Sequence, residues 1–465
     1  MAWHHRIVDG RDVNLTLDFC LRVGELLLAS GAGAADVTAT MRSLAHHYGL
    51  RTAEIDVTFI NLSMQYQASP EDVPALMTRQ VKVRTIDYEH LTLVDHLIRA
   101  VLRDEVDLRE ARTELARIVS GGHGRPRWAV TLGVAAMAGA VAVQLGGGVR
   151  VAILALVSAA ALDRLQLFLA RRRLPPFYQQ VAGAGLASLL AVGAAALPID
   201  IDVSSSITAN IIVLLAGIGF MGALQDALTG FHITASARVM EALMSTAGII
   251  AGVGGGLALA ASVGVQIPPV VPGVTNLQSV TLTIGGSAIA AAAFAYASYA
   301  PRRIIVPIAG IAAVATGIVL AFPDDVSRAW KVAIAAFFVG LVSYSVAGRL
   351  HVPPLVVVVS GVVPLLPGLS IYRGLTLLAE ESGRDTSQGL LAMFTAASIA
   401  LALASGVILG EYVAQPLKRQ GRKLEWRLSG PRLVGPVRTL TGRERRRQRR
   451  ERRREERLAE EGQRG

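Results

Sequence analysis

The pattern of apolar and polar positions changes character at residue 127. Before it, apolar residues recur at helical spacing over Val13–Ala29 and, after the break Ser30-Gly31-Ala32-Gly33, again over Ala34–Tyr48. This predicts two amphipathic helices. Ile55–Tyr66 mixes β-branched and aromatic residues and Val81–Ile86 alternates apolar with basic ones, as strands do. Leu91–Val119 returns to helical spacing with many i,i+4 charge pairs. Residues 1–127 therefore predict a soluble α/β domain, large enough for a core of its own.

From Trp128 to Leu417 the chain reads instead as ten apolar segments, each about as long as a helix that crosses hydrocarbon. Breakers and charges place them near 128–147, 149–169, 177–197, 207–228 and 238–262, then near 278–299, 303–322, 326–347, 354–370 and 388–411. The expected fold is a polytopic α-helical membrane protein with two five-helix halves, 128–262 and 278–417, behind an N-terminal domain at 1–127.

Charge sharpens this division. Residues 128–417 carry 13 Lys/Arg and 11 Asp/Glu, against 15 and 17 in residues 1–127. Ionisable groups are thin where hydrocarbon penalises them. The formal net charge of +11 resides in residues 418–465, which hold 18 basic and 7 acidic residues. That Arg-rich stretch reads as a cytosolic tail whose guanidiniums meet anionic lipid at the inner leaflet. Trp426 is its one aromatic and it has no base-reading motif, so nucleic acid is not expected as a partner.

Met1–Asp18 is polar and offers no secretory apolar core, which keeps the first domain cytosolic. The inward loops then hold Arg171-Arg172-Arg173, Arg238, Arg302-Arg303 and Arg349, and the Pro- and Ser-rich connections 198–206 and 263–277 hold no Lys or Arg. Both termini inside the plasma (inner) membrane is the expected topology. The lone Cys20 forms no internal disulfide, in keeping with a reducing compartment.

Leu214-Leu215-Ala216-Gly217-Ile218-Gly219 in the fourth segment matches Leu365-Leu366-Pro367-Gly368-Leu369-Ser370 in the ninth at an offset of 151 residues, and Ala223-Leu224 then matches Gly374-Leu375. These are equivalent members of two halves with an odd number of spans, so the halves are expected to be inverted repeats. Gly217, Gly219, Pro367 and Gly368 predict interrupted helices that free backbone donors and acceptors at membrane depth. Such groups suit a zwitterion.

Gly24-Glu25-Leu26-Leu27-Leu28-Ala29-Ser30-Gly31-Ala32, the helix end Arg117-Ile118-Val119-Ser120 and the two Gly-centred segments resemble the threonine/serine exporter family over about residues 12–415. The resemblance implies a cytosolic N-terminal domain, ten spans, and export of threonine and serine driven by the proton-motive force. The family's usual Pro before the fourth-segment Gly is Ala216 here, while Gly217, Asp226 and Gly230 are kept.

The candidate substrate residues are Asn210, Gly217, Gly219, Pro367, Gly368, Ser370 and Tyr372, since an amino-acid hydroxyl needs neutral donors and acceptors. Asp226, closing the fourth segment, and Glu241, one turn after Arg238, are the candidate proton-coupling carboxylates. Asp163 beside Arg164, and Glu411, read as interfacial charges. Seven of the nine histidines precede residue 127, among them His4-His5, His46-His47, His90 and His96, with no zinc-signature spacing. No metal or other cofactor is expected, and no phosphate loop or catalytic cluster suggests an enzyme. A secondary transporter of small amino acids by proton antiport is the leading expectation, with homo-oligomerisation left open. The alternative is a membrane-anchored sensor whose activity lies in the first domain.

Overall fold

The computed structural model describes residues 10–195, 206–207, 209–210, 214, 217–262, 277–323, 325–367, 370, 374, 377–378 and 386–417. The basic tail and the connections 198–205 and 263–276 lie outside them.

The first 120 residues form α1 (Gly10–Ala29), α2 (Ala34–His47), β1 (Glu54–Thr58), β2 (Asn61–Tyr66), β3 (Ala75–Gln80), α3 (Tyr88–Leu102) and α4 (Leu108–Ser120). The three strands make one antiparallel sheet in sequence order, with Ile55 opposite Met64 and Met64 opposite Met77. Leu62 and Met64 alternate onto the buried face, where they join Phe19, Leu28 and Met41 of the two opening helices. Gly24 is fixed by that packing: a Cβ there would lie 2.5 Å from the Met41 sulfur. Cys20 is fully buried, and burial pushes its thiol up to about 12, so it is inert as a thiolate.

Two details of the expected pattern are corrected. Val81–Ile86 is not a strand; the third strand is Ala75–Gln80. After Val81 donates to the Ile60 carbonyl at 2.8 Å, the segment leaves the sheet and Thr85 donates to Ala29 at the end of α1 at 2.9 Å. Its alternation serves a crossing over a helix end. Leu91–Val119 is two helices, because Asp104 takes a left-handed φ of 60° and Asp107 caps α4 by accepting from the Glu110 amide at 2.8 Å.

The apolar body comprises α5 (Arg127–Gln144), α6 (Val149–Arg171), α7 (Pro176–Ala195), α8 (Gly217–Leu228), α9 (His232–Ser262), α10 (Leu277–Ala297), α11 (Arg302–Ala321), α12 (Arg328–Leu350), α13 (Pro354–Val362) and α14 (Thr386–Leu417). A 3-10 turn, Val363–Leu365, follows α13. Among the described residues seven helices are long and apolar enough to cross a membrane: α5, α6, α9, α10, α11, α12 and α14. This is an integral membrane protein. α7, α8 and the short α13 occupy the other three expected segments.

Helix pairing follows the small residues. α7 runs along α9, and α12 along α14. In the first pair a Cβ on Gly252 would strike the Val181 carbonyl and one on Gly256 would lie 2.6 Å from the Ser188 Cβ. In the second, Cβ atoms on Gly406 and Gly410 would strike the carbonyls of Ala333 and Phe337, and one on Gly340 that of Val407. Each seam thus rests on a Gly-x-x-x-Gly pair, which lets backbones touch where lipid offers no hydrophobic drive to associate. α5 packs on α10, with Gly286 placing its missing Cβ 2.8 Å from the Ala140 carbonyl. Glu411, expected as an interfacial charge, is buried on α14 beside the Gly340 crossing.

The N-terminal region and the body share one apolar cluster. It runs from Phe19 and Leu28 through Tyr88 to Phe294 and to Val356–Val359 of α13.

Candidate functional site: a buried ion pair capped by α2

At the end of α8, Asp226 is 1% exposed. Its Oδ2 lies 2.5 Å from Nη1 of Arg238 on α9, and the two side chains are 2% and 5% exposed. The turn that brings them together is made by Gly230, whose φ of 94° reverses the chain between the helices. On the other side of the pair lies Gly222, where a Cβ would stand in ordinary contact with Nη1, at 3.4 Å.

The lid over this pair comes from the N-terminal region. Helix α1 ends at Gly31, with φ 99°, in a turn where Ala32 donates back to Leu27 at 3.0 Å. That geometry aims Gly33 and the first turn of α2 at Asp226. The Ala34 amide donates to Asp226 Oδ1 at 3.0 Å, and the Ala32 carbonyl accepts from Arg238 Nη2 at 3.4 Å. Gly33, the N-cap residue of α2, supplies no side-chain cap. Asp226 therefore caps the helix from another part of the molecule, its negative charge facing the positive end of the α2 dipole. A Cβ on Gly33 would stand in ordinary contact with Asp226 Oδ1, at 3.4 Å.

Around the pair the docking continues. Thr234 of α9 accepts from the Phe59 amide at 3.0 Å and donates to the Val57 carbonyl at 3.1 Å, which seats the β1–β2 turn. Arg84 reaches Glu241 at 3.5 Å and lies over the Phe59 ring. Of the two candidate carboxylates, the structure thus buries Asp226 and leaves the Glu241 side chain 51% exposed. A carboxylate, a guanidinium and a helix N-terminus in one dry spot match the two charges of a zwitterion, with the amino group complementary to Asp226 and the carboxylate to Arg238 and the α2 amides.

The interrupted segments lie elsewhere. After α13 the 3-10 turn ends at Leu366 with an extended backbone, and Pro367 is buried behind it. The Pro364 carbonyl accepts from the Gln144 side-chain amide at 2.9 Å, the last residue of α5. The carbonyl freed at this break thus has its donor. Gly217 opens α8, Gly219 is exposed on it and Ser370 is half-buried. Asn210 is fully buried; its amide donates to the Ser206 carbonyl at 2.9 Å, and its Oδ1 has no partner among the described residues. Gly368 and Tyr372 lie outside the described residues.

Asn210 and Pro367 have different packing neighbours, while Gly374, just after the ninth segment, lies against Met393 of α14. Ile207 and Leu214, which bracket Asn210, pack with α7, α9 and Met393 of α14, whereas Leu365 and Leu366 beside Pro367 belong to the cluster of α10–α12. A groove of about 490 Å³ between α5, α10 and α11 is lined by residues such as Trp128, Leu132, Ile289 and Ile305, and offers nothing to a zwitterion.

Sequence reasoning missed Gln144, whose one signal was a lone amide ending an apolar run. It also assigned Asp163 to Arg164, whereas Asp163 pairs with Arg127 at 2.6 Å and accepts from Thr131 at 2.7 Å. The histidines are not all scattered: His90 and His123 meet at Asp87.

Comparison with known proteins bears on both halves of the chain. A family model described as "Putative threonine/serine exporter" matches residues 18–260, and one described as "Threonine/Serine exporter, ThrE" matches residues 283–413. A "Probable threonine/serine exporter" of Mycobacterium tuberculosis (strain ATCC 25618 / H37Rv) is 34% identical over 447 residues, covering 92% of this chain and 83% of that protein. A "Threonine/serine exporter" of Corynebacterium glutamicum is 33% identical over 428 residues, covering 90% of this chain and 86% of that protein. No solved structure matches.

Proposed function

Because the chain belongs to the threonine/serine exporter family, we propose that it exports threonine and serine across the plasma membrane as a secondary transporter coupled to protons. The observation that carries the reading is the Asp226–Arg238 pair, buried and closed over by the first turn of α2. An amino acid presenting its own carboxylate to Arg238 would compete with Asp226. A proton on Asp226 would weaken both the ion pair and the bond from Ala34, and so loosen the lid. Proton and solute then act on one contact, as antiport requires.

The arrangement of the body supports two inverted five-helix repeats totalling ten spans. Third and fifth segments pair through Gly252 and Gly256, and eighth and tenth pair through Gly406 and Gly410. First and sixth segments, α5 and α10, pack on each other, as a twofold relation between halves would place them. On this reading residues 1–127 form a cytosolic α/β domain that covers the inner mouth, both termini are cytosolic, and the 418–465 tail lies on anionic lipid. Asn210, Gly217, Gly219, Pro367, Gly368, Ser370 and Tyr372 serve the solute farther along its path. The sensor alternative gains no comparable support, because the N-terminal region is tied to α8, α9 and the α10–α11 turn by hydrogen bonds.

Purified full-length protein in liposomes tests the reading. Labelled threonine or serine should move, and a pH gradient should drive accumulation against concentration. Flux that ignores the gradient removes proton coupling; no flux of either amino acid removes the transport assignment.

A further inference from the structure

A second polar cluster of the N-terminal region lies far in sequence from Asp226. Asp87 is the N-cap of α3, and its Oδ1 accepts from the His90 amide at 3.0 Å. That bond fixes the carboxylate. Its other oxygen, Oδ2, lies 2.7 Å from His90 Nδ1 and 2.6 Å from His123 Nε2. The three donor atoms fall within 4.8 Å of one another. They come from the cap of α3, its first turn and the α4–α5 connector.

Each side chain is held. Asp87 is 9% exposed and His90 14%. The His123 ring stacks on Tyr299 with centroids 3.9 Å apart, and Glu89 accepts from the Gly124 amide at 3.3 Å, which pins the connector next to it. Tyr299 itself adopts a left-handed φ of 62° between α10 and α11. Two imidazoles and one carboxylate, oriented by neighbours, with Asp87 and His90 shielded and the His123 side chain 30% exposed, form the donor set of a transition-metal ion.

We propose that Asp87, His90 and His123 bind one Zn²⁺, with the fourth position open to a solvent molecule or a small ligand. Bonds of about 2.0–2.2 Å in a tetrahedron separate ligand atoms by roughly 3.3 Å. The two oxygen–nitrogen spacings must open by about 0.6–0.7 Å, which takes rotation of the side chains rather than a shift of the backbone. Imidazole ligands disfavour Mg²⁺ and Ca²⁺. The ion would brace the corner of the N-terminal region that meets the body, where Tyr88 donates to the Ser298 carbonyl at 2.9 Å and Arg125 donates to the carbonyls of Tyr296 and Ala300. The site does not depend on the transport reading.

The test uses tag-free full-length protein in detergent, stripped with chelator and titrated with Zn²⁺ and Co²⁺ alone. Wild type should retain one Zn²⁺ per chain through gel filtration and give the visible absorption of tetrahedral Co²⁺. His90→Gln and His123→Gln should each weaken Zn²⁺ binding by more than the roughly 10–100-fold that loss of an outer-sphere partner costs. His232→Gln, on an exposed histidine, should bind as wild type. Zn²⁺ should raise the melting temperature of wild type and of His232→Gln but not of His123→Gln, which keeps the Asp87 cap. Equal Zn²⁺ affinity in wild type and His123→Gln, or no bound ion in wild type, would overturn the proposal.

Discussion

Asp226 stands between two positive partners that belong to different parts of the molecule. Oδ2 faces Arg238 of the membrane body at 2.5 Å, and Oδ1 takes the Ala34 amide at the start of α2. One carboxylate therefore carries both the contact between α8 and α9 and the lid.

Removing one member of this pair strands the other charge in a buried setting, at a cost of about 3–5 kcal/mol. Asp226→Ala and Arg238→Ala should each lower the thermal unfolding temperature in detergent, and the double variant should lose clearly less than the two together. Additive losses would mean that the charges do not interact.

Asp226→Asn keeps shape but holds no proton. Proteoliposome flux should fall at least about tenfold, equivalent to about 1.4 kcal/mol at the limiting step, and lose its pH dependence. Glu241→Gln, on an exposed side chain, should keep that dependence. If Glu241→Gln abolishes it and Asp226→Asn does not, the coupling group is Glu241.

Gln144→Leu removes the donor to the Pro364 carbonyl and leaves it unsatisfied in an apolar setting, a loss of about 1–3 kcal/mol. The melting temperature should drop accordingly, whereas Gln144→Glu at low pH, where the protonated acid donates, should recover part of it.

Acid should act through Asp18. Burial alone would raise its carboxyl, but hydrogen bonds and charges from Arg22 and Arg112 outweigh this and hold it below the ordinary value. A carboxyl lowered on folding stabilises the protein above its unfolded value, about 3.9, and that contribution is lost as pH falls through the folded value. The stability gap between wild type and Asp18→Asn should thus be level from neutral pH to about pH 5 and shrink below about pH 4. A gap independent of pH would contradict the arginine contacts.

Much of the secondary structure was legible because its signals are local. Ser30-Gly31-Ala32-Gly33 reads as a break and is one, and the segment expected at 149–169 is the helix 149–171. Apolar runs bounded by Pro and Gly leave few alternatives in register. What failed depended on distance. Val81–Ile86 has the period of a strand, yet its backbone partner is a helix end supplied by residues over fifty positions earlier. Asp163 was paired with its neighbour Arg164, but a helix turns adjacent side chains apart, and Arg127 on α5 faces it. His90 and His123 meet only because α4 folds back, which no spacing rule encodes. In the same way Ala34 gives no hint that its amide has a partner 192 residues away.

The seams between α7 and α9 and between α12 and α14 have a mechanical consequence. Backbones in contact at Gly252, Gly406 and Gly410 leave no clearance for a neighbouring side chain to pass. Sliding by one turn would put a bulkier residue where only hydrogen fits. Gly410→Ala should therefore destabilise by about 1–3 kcal/mol, while Gly255→Ala, with nothing within 4 Å, should be neutral or slightly helpful. Each couple is in effect a rigid plank, and any rearrangement of the membrane body has to hinge at the turns between planks.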